Sequence, residues 1–192
     1  MNWKNKDAES YIKHYGKKGF SQDIALRIYS ARLLGNNPEL VLHGGGNSSV
    51  KIKKRDILNR EIDVICVKGS GWDMSNIEPE GFPELEIDLL KKAESLDSLS
   101  DENMVSLMRR ACLDPESPDP SVETLLHAFL PHKYIDHTHS NSILAIANLK
   151  GAEDIFKEIF LNKVAILPWI MPGFNLAKAC STIHRKNPNI EG

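Results

Sequence analysis

Apolar residues first settle into a helical rhythm at Ile24, Ala25, Ile28, Ala31 and Leu34, which share one face over positions 22–34. Ser21 stands where an N-cap belongs and Gly35 where such a helix ends. The pattern then shortens. Positions 47–52 and 61–67 read as two strands, joined as a hairpin by the polar run Lys53-Lys54-Arg55-Asp56 and its neighbours. Those lysines read as a solvated loop rather than a binding patch. After Gly71 the chain is irregular through Pro79, Gly81 and Pro83. Pro83 suits the first position of a helix carrying Leu85, Leu89 and Leu90. Ser100-Asp101-Glu102 opens another helix, whose Met104, Leu107, Met108 and Ala111 face one way, as core residues do. The prolines of 113–120 mark a loop, and Ser121 caps a helix that runs to Leu130 and stops at Pro131. A strand over 134–138, helices over 140–149 and 152–160, a short buried strand over 164–167 and a helix from about 174 to 184 complete the reading. Strands and helices are interleaved, which predicts a three-layer α/β arrangement around a mixed sheet.

The bulk properties narrow the function classes. The 192 residues, 41% hydrophobic and 26% charged, suit one globular domain with a full core. With a net charge of -2 and no basic face, a nucleic-acid footprint is not expected. No apolar run reaches the roughly 20 residues that span a bilayer. The first residues lack the apolar core of a signal peptide. Cys66, Cys112 and Cys180 are odd in number, far apart and outside any Cys-x-x-Cys pattern. They read as small buried hydrophobes in a reducing compartment, and a cytoplasmic location is expected.

Candidate chemistry centres on Tyr134-Ile135-Asp136-His137-Thr138-His139-Ser140. Side chains two apart on a strand leave the same face, so His137 and His139 can reach one cation, and zinc is the usual partner of nitrogen-rich sites. Two histidines capping the next helix would account for the same residues without a metal. Glu123 stands near a helix start, where the macrodipole favours a carboxylate; its chemical reading is a general base facing the metal. Ser121 can cap that helix, donate to an anion, or do both. Gly44-Gly45-Gly46-Asn47 and Gly69-Ser70-Gly71 are either tight turns or backbone nests whose N–H groups, at Gly46, Asn47, Ser70 and Gly71, converge on an anion. Asn47 and Ser49 can add side-chain donors. His43 adjoins the first turn, and His127 lies one helical turn after Glu123, in reach of supporting it. His14, His132 and His184 read as surface residues.

Gly46-Asn47-Ser48-Ser49, Ser70-Gly71, Pro120-Ser121-Val122-Glu123 and His137-Thr138-His139 follow one another in an order and spacing that resembles the class II aldolase/adducin family. The wording around His43–Lys51 and Val67–Asp73 looks most like the aldolase half of bifunctional rhamnulose-phosphate aldolase/dehydrogenase proteins. The resemblance covers residues from about 20 to 192. It implies a three-layer α/β/α fold with a central mixed, mainly antiparallel sheet, and a homotetramer with active sites between subunits. It also implies roles: phosphate binding by Gly46, Asn47, Ser70, Gly71 and Ser121, acid/base work by Glu123, and zinc ligation by His137 and His139. The implied reaction is zinc-dependent aldol cleavage of a phosphorylated ketose, rhamnulose-phosphate-like, through an enediolate. Epimerisation or dehydration of a sugar phosphate is the alternative within the family, and a non-catalytic adducin-like interaction module the alternative outside enzymes.

Two departures bear on this. Val122 stands where the family often has a second serine, which removes one phosphate donor. The family's third histidine ligand follows the last helix in a His-Gly pair, and this chain stops at Asn189-Ile190-Glu191-Gly192. The chain is therefore expected to be a single domain over 1–192 lacking its C-terminal strands and helix. Zinc is then expected to be weakly held or absent, and the 192-residue chain inactive by itself.

Overall fold

The computed structural model describes residues 2–43, 45–161, 163–190 and 192. Two helices open the chain, α1 (Asn5–Gly16) and α2 (Gln22–Gly35). The Ser21 hydroxyl accepts the Ile24 N–H at 3.3 Å and so caps α2 as expected. Strands β1 (Asn47–Arg55) and β2 (Glu61–Val67) form the hairpin. Its turn is closed by Asp56, whose carboxylate accepts the N–H groups of Leu58 at 2.8 Å and Arg60 at 2.9 Å. β3 (Glu84–Glu86) and β4 (Tyr134–His137) flank the hairpin in the order β3-β2-β1-β4, and each pairing is antiparallel. No parallel pair occurs among the described residues.

Helices cover both faces of this sheet, and the alternation of β2 shows how. Val64 and Cys66 point to one side and join Val50, Tyr15, Ala25 and Ile28 in a core beneath α1 and α2. Ile65 and Val67 point to the other side and meet Leu85, Leu90, Met108 and Leu125. That second core is roofed by α3 (Ile87–Lys92), α4 (Asp101–Ala111), α5 (Thr124–Phe129) and α8 (Phe174–Lys186). The three-layer α/β/α expectation is met, and both faces of β2 are apolar because both are covered.

Four local expectations are corrected. Helix α1 was not anticipated, although Ala8 and Tyr15 bury a seven-residue repeat against α2. Of the leucines after Pro83, Leu89 and Leu90 lie in a helix but Leu85 does not. Glu84-Leu85-Glu86 alternates, Leu85 pairs with Ile65, and α3 starts only at Ile87. Positions 164–167 form no strand; they are half-buried and irregular, with Ala165 N–H donating to the Gly192 carbonyl at 2.8 Å. Between them and the site lie α6 (Asn141–Ala147), with no buried residue, and α7 (Ala152–Phe160), which buries only Phe156. The fourth correction concerns Ser121 and is described with the site.

The cysteines are free: Cys66 is fully buried, and Cys112 and Cys180 are half-buried. Burial pushes the Cys66 thiol well above its ordinary range, as for an inert core residue. Among the described residues, no helix is long and apolar enough to cross a membrane.

Candidate active site

The site forms where β1 begins and β4 ends. Asn47 and His137 are register partners across those strands, so their side chains emerge on one face. Glycine permits the approach. Gly46 has φ +65°, and a Cβ there would lie 2.5 Å from the His137 carbonyl oxygen. A Cβ on Gly45 would come 2.9 Å from the Leu42 carbonyl and 3.3 Å from His139 Nδ1. The glycine run thus lets the chain entering β1 pass against the two histidines. Gly44 lies outside the described residues.

Glu123 completes a cluster with that pair. Its Oε2 is 2.7 Å from His137 Nδ1 and accepts a hydrogen bond from Asn47 Nδ2. Asn47 Nδ2 also reaches Ser121 Oγ at 3.4 Å. Burial alone would raise the Glu123 pKa, but the His137 hydrogen bond and charge, with Asn47, hold it below the usual carboxylate value. The carboxylate is therefore ionised at neutral pH. The Nδ1 edge of His137 faces that carboxylate, which leaves Nε2 as the ring nitrogen available to a ligand.

Ser121 does not cap a helix running to Leu130. Its carbonyl accepts the Thr124 N–H at 3.0 Å in a turn, its hydroxyl accepts the Glu123 N–H at 3.3 Å, and α5 begins at Thr124 with Glu123 in the N-cap position. The result orients Glu123 inward.

The expected anion nest is differently built. Gly69 bridges to Pro120, Ser70 N–H donates to the Asp119 carbonyl at 2.7 Å, and Ser121 N–H donates to the Lys68 carbonyl at 3.3 Å. Two backbone donors are thereby used within the fold. What Ser70 and Ser121 offer an anion is their hydroxyls. Gly71, exposed at φ +79°, turns the chain away after them.

His137 and His139 lie together, with ring centroids 4.8 Å apart. Pairing stops at His137, because the His139 N–H donates to the Leu40 carbonyl at 2.8 Å instead. The free Nε2 of His137 and the neighbouring His139 ring fit two nitrogen ligands of zinc, and a carboxylate on the far ring nitrogen is the usual support of such a ligand. Among the described residues, no group of three or more His, Cys, Asp or Glu is gathered for a metal ion.

Supporting residues escaped the sequence reading. Arg27, 1% exposed, reaches from α2 to Ser49 O at 3.1 Å, Ile135 O at 3.4 Å and Asp136 Oδ1 at 2.5 Å. It therefore ties β1 to β4 beside His137. A lone arginine on an otherwise apolar helix face was the signal. His127, taken to support Glu123, is fully buried and meets Ser49 Oγ at 2.8 Å through Nδ1. Burial drives its pKa down to about 3, so it is a neutral spacer. Lys68, 4% exposed, follows β2; its N–H donates to the Ser48 carbonyl at 3.0 Å and its carbonyl accepts the Ser121 N–H at 3.3 Å. His184 is half-buried rather than on the surface, edge-on to His132 at 5.1 Å. His14, His132 and His43 are exposed, and His43 does not line the cleft. A cleft of about 930 Å³ opens from Glu123, His127 and His137 towards His132, Cys180 and His184.

Residues 27–189 match the family described as the class II aldolase and adducin N-terminal domain. The chain is 37% identical over 164 residues to the uncharacterized oxidoreductase YuxG of Bacillus subtilis, covering 85% of this chain and 24% of that protein. It thus spans about a quarter of that relative's length. The N-terminal class II aldolase domain of a conserved protein from Thermoplasma acidophilum superposes with a TM-score of 0.82 at 42% identity, over 88% of this chain and 78% of that one. YgbL from Klebsiella pneumoniae shares the fold at a TM-score of 0.55 and 15% identity, over 84% of this chain and 70% of that one. The chain belongs to the class II aldolase and adducin N-terminal domain family.

Proposed function

We propose that the protein is a zinc-dependent aldolase that cleaves a phosphorylated, rhamnulose-phosphate-like ketose. The observation that carries this is the part-buried cluster of Asn47, Glu123 and His137 beside the exposed His139, with Glu123 and His137 lining a cleft large enough for a sugar phosphate. A scaffold has no need of an ionised carboxylate hydrogen-bonded to one of two adjacent imidazoles.

His137 and His139 would hold the metal, which when bound supplies Lewis-acid polarisation of the substrate's oxygens. Two imidazoles fall short of the three protein ligands usual for zinc. A further protein ligand would be needed to complete the set. Glu123 is ionised and so can accept the proton of the substrate hydroxyl whose carbon loses its C–C bond. Asn47 orients that carboxylate. The phosphate would be held by the Ser70 and Ser121 hydroxyls, near Gly46, Asn47 and Gly71, which fixes the reacting carbons over the metal. A cytoplasmic homotetramer is proposed with this activity.

The test is turnover. With zinc supplied, ketose 1-phosphates should be cleaved to dihydroxyacetone phosphate and an aldehyde. Conversion to an isomeric sugar phosphate without cleavage would favour epimerisation, loss of water would favour dehydration, and no reaction at all would favour an interaction module.

A further inference from the structure

Helix α1 lies outside the matched residues 27–189, yet its last turn holds the loop that carries Ser70. Tyr15 is 2% exposed, and its hydroxyl donates to Glu78 Oε2 at 2.8 Å. Arg32 of α2 bonds the other oxygen of the same carboxylate. Arg32 Nε also donates to the Ile77 carbonyl at 2.9 Å, and Asn36 Nδ2, just past the end of α2, donates to the Ser75 carbonyl at 3.1 Å. Burial raises the Glu78 pKa, but the Tyr15 and Arg32 hydrogen bonds hold it below the usual carboxylate value. The carboxylate is therefore ionised, and the bonds to it are of the stronger, charge-assisted kind.

This grip reaches the site through packing. Residues 69–81 form a closed loop, with Gly69 N–H donating to the Gly81 carbonyl at 2.8 Å. Inside it the Trp72 and Asn76 N–H groups make backbone bonds of 3.4 Å, near the far limit. Its placement therefore depends on what holds it from outside. Ile77 is fully buried, and a Cβ on Gly81 would lie 2.8 Å from both Ile77 and the Trp72 ring. A Cβ on Gly69 would lie 3.1 Å from that ring. Groups packed this closely transmit a displacement rather than absorb it. A shift at Ile77 and Glu78 is carried through Trp72 to Gly69, and so to Ser70, the next residue.

We propose that Tyr15 is a positioning residue: through Glu78 it fixes the 69–81 loop, and with it the Ser70 hydroxyl that meets the substrate. This rests on the phosphorylated-ketose reading above. It makes α1 a working part of the site.

The experiment compares wild type and Tyr15→Phe, with zinc supplied, on a ketose 1-phosphate and on the same ketose without its phosphate. Tyr15→Phe keeps the buried ring and loses only the hydroxyl. It should raise KM for the phosphorylated ketose about three- to tenfold, keep kcat within about twofold, and leave the free ketose unaffected. A loss of stability alone would move both ketoses alike. Amide exchange reads the same coupling without turnover: the Gly69 and Ser70 N–H groups should exchange faster in Tyr15→Phe, with the core Ile65 N–H unchanged. A folded Tyr15→Phe with wild-type KM and wild-type exchange at Ser70 overturns the proposal and leaves the substrate reading standing. Equal changes on the two ketoses do the same. Wild type that does not cleave the phosphorylated ketose overturns both. Should Tyr15→Phe not fold, Glu78→Leu decides, since it breaks the same bond from the loop side. It should show the same rise in KM confined to the phosphorylated ketose, and its absence refutes the role.

Discussion

Glu123 Oε2 and His137 Nδ1 lie 2.7 Å apart, and Asn47 bonds the same carboxylate oxygen from the opposite strand. The turn at Ser121 aims the carboxylate and the start of β1 receives it. Glu123→Gln keeps the shape and the acceptor oxygen but cannot take a proton. It should lower kcat by about 10²–10⁴-fold while leaving the circular dichroism spectrum unchanged. A Glu123→Gln enzyme with near-normal kcat would remove the carboxylate from the chemistry.

Arg27 and Asp136 make a second, unequal pair. Arg27 is 1% exposed, whereas the Asp136 side chain is 40% exposed. Removing the aspartate strands a buried guanidinium; removing the arginine leaves a carboxylate that water can reach. Asp136→Asn should therefore destabilise by about 3 kcal/mol, towards the low end for a broken buried pair, and Arg27→Met by less. Urea denaturation of both variants checks the order, and the reverse order would contradict this account of the pair.

Much of the architecture was legible in the residues, and its limits have physical causes. The hairpin β1–β2 and helix α2 declare themselves because periodicity, cap and turn residues agree, as with Ser21 and Asp56. Leu85 misled because three leucines near a proline look helical, and only its pairing with Ile65, fixed by tertiary context, makes it a strand. Positions 164–167 misled because a short apolar run carries no partner in its own sequence. At the site, His137, Glu123 and Asn47 were singled out from the strand spacing, the helix start and the glycine turn, and the structure brings the three side chains together. Arg27 and Lys68 were missed since burial of a charge is invisible until the fold places it. The two glycine-rich turns were read as either tight turns or anion nests, but Gly46 also makes room for the His137 backbone.

That room gives a third prediction. Gly46→Ala puts a Cβ 2.5 Å from the His137 carbonyl at a φ of +65°. It should cost more than about 1 kcal/mol of stability and displace His137 from Glu123, so that activity falls further than the thermal midpoint alone explains. Gly71→Ala meets nothing within 4 Å at its own positive φ, and should show the strain without the clash. Equal losses from the two substitutions would argue against a close approach at Gly46.

His127 sets an acid limit. Its folded pKa is depressed to about 3 by burial, below the ordinary value of 6.5. Between those values the unfolded chain binds the proton and the native state does not. Stability contributed by the neutral ring is thus complete above about pH 6.5 and is lost progressively as pH falls towards 3. The slope from this residue approaches about 1.4 kcal/mol per pH unit. His127→Gln should flatten the pH dependence of the urea midpoint across that window, and an unchanged slope would show that His127 is not buried as a neutral ring.

The reaction itself is the most direct test of the central claim. The zinc-supplied protein should be incubated with ketose 1-phosphates and followed by ³¹P NMR. The account predicts that the dihydroxyacetone phosphate signal grows with time, that it needs His137 and His139, and that Glu123→Gln abolishes it. An unchanged substrate signal in wild type, or cleavage that persists undiminished in Glu123→Gln, would contradict it.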